Sequence, residues 1–110
     1  IAGAITTAMT DHRLEALVAP TLPATASPKG KSEHIYGDVS EPITASYVRT
    51  TAPFNLSGQP AITVPCGFDR DGLPIGLQVA TRPRHDRLAL QIAAAFEQAS
   101  PSPGRVPDFW

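Results

Sequence analysis

The side chains here that could do nucleophilic, acid–base or metal chemistry are few: Cys66, His12, His34, His85, Lys29, Lys31 and a scatter of serines and carboxylates. A cysteine nucleophile needs a neighbouring base or a setting that stabilises its thiolate. Cys66 instead lies in an apolar run between Pro65 and Gly67 with no histidine nearby in sequence, and reads as a small buried hydrophobe. The histidines stand singly, without the short spacings that build a metal site. Lys29 and Lys31 flank Gly30 in a polar stretch, whereas a lysine acting as a base must be desolvated. No serine occupies a G-x-S-x-G elbow, and no glycine-rich phosphate loop occurs. Asp69 and Asp71 flank a turn and read as turn formers. The residues therefore describe a scaffold with no catalytic constellation, no metal site and no cofactor site of its own.

Elements that would position these side chains follow from periodicity. Ile1, Ile5 and Met9 share one helical face, which predicts a helix over 1–11. It starts without a methionine or a capping residue, so the sequence reads as a segment of a longer chain. A short apolar run closed by Pro20 and Pro23 predicts a strand over 15–20, and the polar stretch 24–42 reads as a surface loop. Ile43, Tyr47, Val48, Thr51 and Phe54 predict a helix over 43–57, kinked or restarted at Pro53 and ended by Gly58.

The two apolar runs around Asp71-Gly72 predict a β-hairpin over 61–80, covered on both faces, with irregularities where Pro65 and Pro74 remove backbone donors. Leu88, Ile92 and Phe96 predict a helix over 86–99 with Asp86 as its N-cap, and an irregular tail over 100–110, anchored by Phe109 and Trp110. The order is that of an α/β protein: part of a mixed sheet flanked by helices, with further strands to be supplied from elsewhere.

The totals exclude several classes. With 110 residues the chain makes one domain at most, and a formal net charge of −1 gives no electrostatic reason to expect nucleic acid or an anionic membrane as partner. No apolar run reaches the roughly 20 residues that span a bilayer, and no signal peptide is visible. A single cysteine rules out an internal disulfide and fits the cytoplasm.

Asn55-Leu56-Ser57-Gly58-Gln59-Pro60-Ala61-Ile62-Thr63-Val64-Pro65-Cys66-Gly67, followed by Asp71-Gly72-Leu73-Pro74-Ile75-Gly76-Leu77-Gln78, resembles the C-terminal part of the amidase signature enzymes. Ala19-Pro20-Thr21 with Pro23, then Arg82-Pro83 and the helix from Leu88 to Gln98, extend the likeness over nearly all the chain except the loop and tail. The resemblance implies a hydrolase of carboxylic amides that uses two serines and a lysine, with backbone donors from a glycine-serine-rich segment, and no cofactor. Those residues belong to the N-terminal and central parts of the family. This sequence has no Gly-Gly or Ser-Ser pair to match them, so no catalytic residue is assigned here.

The implied role is to complete the sheet and wall part of the substrate pocket, through Tyr47, Thr51, Phe54 and Asn55. The implied partners are the N-terminal remainder of the amidase and a small amide substrate, with a homo-oligomer as a further possibility. The glutamine-dependent tRNA amidotransferase subunits, which resemble the same motif, place an acid shortly before N-L-x-G. Here Tyr47-Val48-Arg49-Thr50 offers none, which favours a general amidase. The competing expectations are an interaction module that pairs through an open sheet edge, and a small enzyme that uses Cys66.

Overall fold

A computed structural model describes residues 2–100. The helix α1 runs over Ala2–Asp11 and is followed by strand β1, Ala16–Pro20. Strands β2 (Glu33–Tyr36) and β3 (Val39–Pro42) come next, then two short helices, α2 (Ile43–Val48) and α3 (Ala52–Ser57). The chain closes its described part with β4 (Ala61–Phe68), β5 (Pro74–Thr81) and α4 (Asp86–Ala99). Two sheets result: β1-β5-β4, with β5 in the middle, and the separate pair β2-β3. Every ladder among the described residues is antiparallel. Ile1 and the tail beyond Ser100, with Phe109 and Trp110, lie outside the described residues.

The central strand is the best enclosed. Gln78, Val79, Ala80 and Thr81 of β5 are all buried, along with Val64 of β4, Met9 of α1, and Ala89 and Ala93 of α4. The apolar stripe of α4 explains its docking on β4 and β5: its small Ala89 and Ala93 sit innermost, while Leu88, Ile92 and Phe96 are half-buried around them. Double coverage does not extend to β4, whose Ala61, Thr63 and Pro65 stay exposed because β4 is an edge strand.

Three local expectations change. The polar stretch 24–42 is not all loop: a hairpin forms over β2 and β3, turned at Gly37 in the left-handed region (φ 60°). Alternating His34/Tyr36 against Glu33/Ile35 gives the period of two that a strand needs, a pattern masked by low overall hydrophobicity. The stretch 43–57, expected as a helix kinked or restarted at Pro53, is two helices separated at 49–51: Pro53 stands in the first turn of α3 and cannot donate to a helix continuing through it. Gly58 ends α3 in the left-handed conformation at φ 68°. Asp86 is not the N-cap of α4. That place belongs to His85, and Asp86 stands in the first turn, where its negative charge favours the helix dipole.

Pro65 and Pro74 act as the hairpin requires. Pro74 opens β5, and the register slips between Pro65 and Gly67, so that Cys66 is the extra residue of a β-bulge. The turn between the strands is clamped by Asp69. Its Oδ1 accepts the N–H groups of Asp71 and Leu73, each at 2.9 Å, and Gly72 completes the turn at φ 80°.

Candidate functional site

The residues of the quoted motif hold neighbouring backbones together. Gly76 is the clearest case: Thr21 N–H donates to its carbonyl at 2.8 Å, and a Cβ there would lie 2.9 Å from Thr21 Oγ1 and 3.0 Å from Thr63 Cγ2. Only glycine allows the segment leaving β1 to cross β5 this closely. The buried Gln78 donates from Nε2 to the Thr50 carbonyl (3.1 Å), which fixes the joint between α2 and α3 over the sheet. Thr50 in turn donates its hydroxyl to the Thr21 carbonyl. The buried Gln59 joins three elements. Its Nε2 donates to the Thr81 carbonyl (3.2 Å) and reaches Met9 Sδ at 3.5 Å, and its Oε1 accepts from Ser57 at 3.0 Å.

These ties leave a cleft of about 900 Å3 on the exposed side of the β4–β5 hairpin. Its walls are residues 20–26, Tyr47 of α2, Thr63 and Pro65 of β4, and residues 74–76 of β5. None of these residues carries a charge. Asp69 supports the rim from outside by accepting the Thr25 hydroxyl on Oδ2 at 2.6 Å. That bond, followed by the Leu73 N–H, holds the Asp69 carboxyl below its ordinary pKa.

A polar cluster stands at the Tyr47 end of the cleft. Tyr47 accepts the Ser27 N–H at 3.2 Å and reaches Ser27 Oγ at 3.3 Å; the Ser27 hydroxyl, then its N–H, pull the phenol pKa below its ordinary value. Ser27 Oγ is hydrogen-bonded to His34 Nε2, and His34 Nδ1 lies 2.8 Å from Ser46 Oγ and 3.2 Å from the Tyr36 hydroxyl. Both tyrosine rings meet the imidazole edge to face, with centroids 5.9 Å (Tyr36) and 5.4 Å (Tyr47) away. Glu41, opposite His34 across the β2-β3 ladder, accepts from Arg49 on Oε2 and keeps Oε1 buried without a partner.

A serine beside a histidine invites a nucleophile–base reading. Here the group on the second imidazole nitrogen is a hydroxyl, not a carboxylate that would stabilise an imidazolium, and Ser27 Oγ is also engaged by Tyr47. The arrangement pins the β2-β3 hairpin and α2 to the rim.

Of the four residues expected to wall a pocket, Tyr47 lines the cleft, while Thr51, Phe54 and Asn55 are not among its lining residues. Thr51 and Phe54 are half-buried and Asn55 is exposed in and beside α3, which packs on α1. The break between α2 and α3 leaves Thr51 beside Tyr47, its hydroxyl donating to the Tyr47 carbonyl at 3.4 Å, while Phe54 and Asn55 follow α3. Sequence reasoning missed the rim at 20–26 and the Ser27–His34–Ser46 cluster. Pro20 at the end of β1 and Pro23 after it were the available signal for the rim; the cluster forms across 19 positions of chain and left none. Cys66 is half-buried, with Sγ 3.5 Å from the Ile75 carbonyl, and no histidine is among its hydrogen-bond partners. No group of three potential metal ligands occurs among the described residues.

Residues 1–90 match the family model described as Amidase. The A-type subunit of the glutamyl-tRNA(Gln) amidotransferase of Brevibacillus brevis is 39% identical over 97 residues, covering 86% of this chain and 18% of that protein. Fatty acid amide hydrolase of Medicago truncatula is 40% identical over 95 residues, covering 86% of this chain and 16% of that one. Among solved structures, 6-aminohexanoate cyclic dimer hydrolase superposes with a TM-score of 0.76 at 34% identity, over 97% of this chain and 23% of that one. The chain thus spans less than a fifth of the length of these two curated relatives.

Proposed function

Since the chain belongs to the amidase family, we propose that it works as the C-terminal segment of a longer enzyme that hydrolyses carboxylic amides, and that its cleft is one wall of the substrate site. The observation that carries this reading is the coincidence of motif and cleft. Gly76, Thr63 and Pro65, which lie in the stretch resembling the amidase signature enzymes, form the floor over which residues 20–26 and Tyr47 are held. The nucleophilic serine, its partner serine and the lysine come from the remainder of the enzyme. This chain contributes what a hydrolase needs besides its nucleophile: a rigid surface that holds the amide within reach of attack and keeps water from the rest of the substrate.

The edge strands β1 and β4 are where the rest of the amidase continues the sheet; a second copy would use the same edges. No described helix is long and apolar enough to cross a membrane. The single unpaired Cys66 agrees with a cytoplasmic enzyme. A second reading, the A-type component of a glutamine-dependent tRNA amidotransferase, draws on the 39% identity to such a protein. Residues 47–50, however, lack the acid expected by that likeness.

Ammonia release from a panel of simple amides and from glutamine tests the reading, with the 110-residue chain compared against the longest in-frame parent. Turnover only in the parent is the expected result. Turnover by the short chain would overturn it and direct attention to Ser27, His34 and Cys66.

A further inference from the structure

The walls of the cleft say more about the substrate than that it is an amide. We infer that the cleft receives an extended, uncharged hydrocarbon portion of the amide substrate; this rests on the amidase reading above. Three observations carry it. First, the cleft is lined by proline, alanine, leucine, isoleucine, glycine, threonine and one tyrosine, with no charged side chain to meet an ammonium or carboxylate group.

Second, its hydroxyls are already bonded within the protein. Thr21 and Thr63 bond each other at 3.2 Å, Thr25 donates to Asp69 at 2.6 Å, and Tyr47 is held by Ser27. A polar substrate entering this space would lose its water without gaining equivalent partners, whereas a methylene chain loses nothing by leaving water. Third, a volume of about 900 Å3 lies within the range of sites that enclose whole organic ligands, and is far larger than a primary amide group needs.

The carboxylate nearest the rim does not contradict this. Asp69 is turned into its own turn, with Oδ1 on the Asp71 and Leu73 amides and Oδ2 on Thr25. It therefore supports the wall without presenting charge to the cleft.

The test uses the longer enzyme that contains this chain. kcat/KM is measured for straight-chain primary amides from acetamide to octanamide, with glutamine as the charged comparison. Matching alkanols serve as competitive inhibitors, so that binding is also read without turnover. Complete burial of each added methylene corresponds to a gain of about fourfold in kcat/KM. The inference expects a rise with chain length approaching that value, a parallel tightening of the alkanols, and glutamine far below hexanamide.

The variant Ala26→Asp puts a charge on the exposed rim, where it has room to fold. It should lower kcat/KM for octanamide at least tenfold and for acetamide far less. Failure of the two ideas is separable. If neither the amides nor glutamine are hydrolysed, the amidase reading falls. If amides are hydrolysed with no dependence on chain length, or glutamine is the best substrate, the hydrocarbon cleft is refuted and the space is filled by another part of the enzyme. Equal effects of Ala26→Asp on acetamide and octanamide would refute it as well.

Discussion

The β1-β5-β4 sheet and the rim it supports are built in opposite ways. In the sheet, the buried Gln59 and Gln78 spend their side chains on backbone carbonyls of other segments, and Val64, Val79, Ala80 and Ala93 close the core. In the rim, residues 21–26 form no regular ladder; Thr25 is held by Asp69 and Tyr47 by Ser27, which is bonded in turn to His34 and through it to Ser46. The difference teaches where substitutions should act. Changes in the sheet should be felt as stability, because a buried carbonyl that loses its donor is penalised whatever the substrate. Changes in the rim should be felt as substrate preference, because its side chains face the cleft.

The largest expected effect comes where the two regions touch. Gly76→Val places carbon 2.9 Å from Thr21 Oγ1, so β5 and the rim must separate. It should destabilise the enzyme by about 2–3 kcal/mol, by the usual magnitude of overpacking, and also alter chain-length preference. Denaturant unfolding and the amide series check both; an unchanged midpoint would break the comparison.

Gln59→Leu should act on stability alone. The Thr81 carbonyl loses its Nε2 donor and the Ser57 hydroxyl keeps only the Phe54 carbonyl as acceptor, at about 1–3 kcal/mol, with the ratio of hexanamide to acetamide turnover unchanged. Cys66→Ala should be milder, about 1 kcal/mol, since the side chain is half-buried in a bulge. Its activity should persist; a folded but inactive Cys66→Ala enzyme would restore the thiol as a catalytic group.

The smallest effect at neutral pH is at Asp69. Its folded pKa is depressed, so its contribution is present above the unfolded value of about 3.9 and is lost as pH falls through the lower folded value. Thermal unfolding of Asp69→Asn and of the parent between neutral pH and pH 2 should show the stability gap narrowing below about pH 4. A gap constant with pH would contradict the assigned hydrogen bonds.

The contrast between regions is also a contrast in what the sequence reveals. The helix α4, the hairpin of β4 and β5, the bulge at Pro65 and the stop at Gly58 were legible because each rests on a local rule: a helical stripe, an Asp-Gly turn, a missing proline donor, a left-handed glycine. The β2-β3 hairpin escaped because its apolar residues are too few to announce it, Ile35 and Val39 being exposed. Within the site, Tyr47 was placed on the pocket wall from the likeness to the family. The same likeness puts Thr51, Phe54 and Asn55 beside it across a helix and turn restarted at Pro53; no local pattern tells that α3 then packs on α1. The Ser27–His34–Ser46 cluster depends on pairing between distant segments, which no local pattern encodes.

The most direct test of the division between scaffold and cleft is the ratio of kcat/KM for hexanamide to that for acetamide in Tyr47→Ala, measured in the longer enzyme beside Gln59→Leu. The account predicts that Tyr47→Ala shifts the ratio severalfold while Gln59→Leu leaves it unchanged and lowers the unfolding midpoint. A ratio untouched by loss of the Tyr47 ring would contradict the account, since the only expected pocket residue that lines the cleft would then contribute nothing to substrate choice.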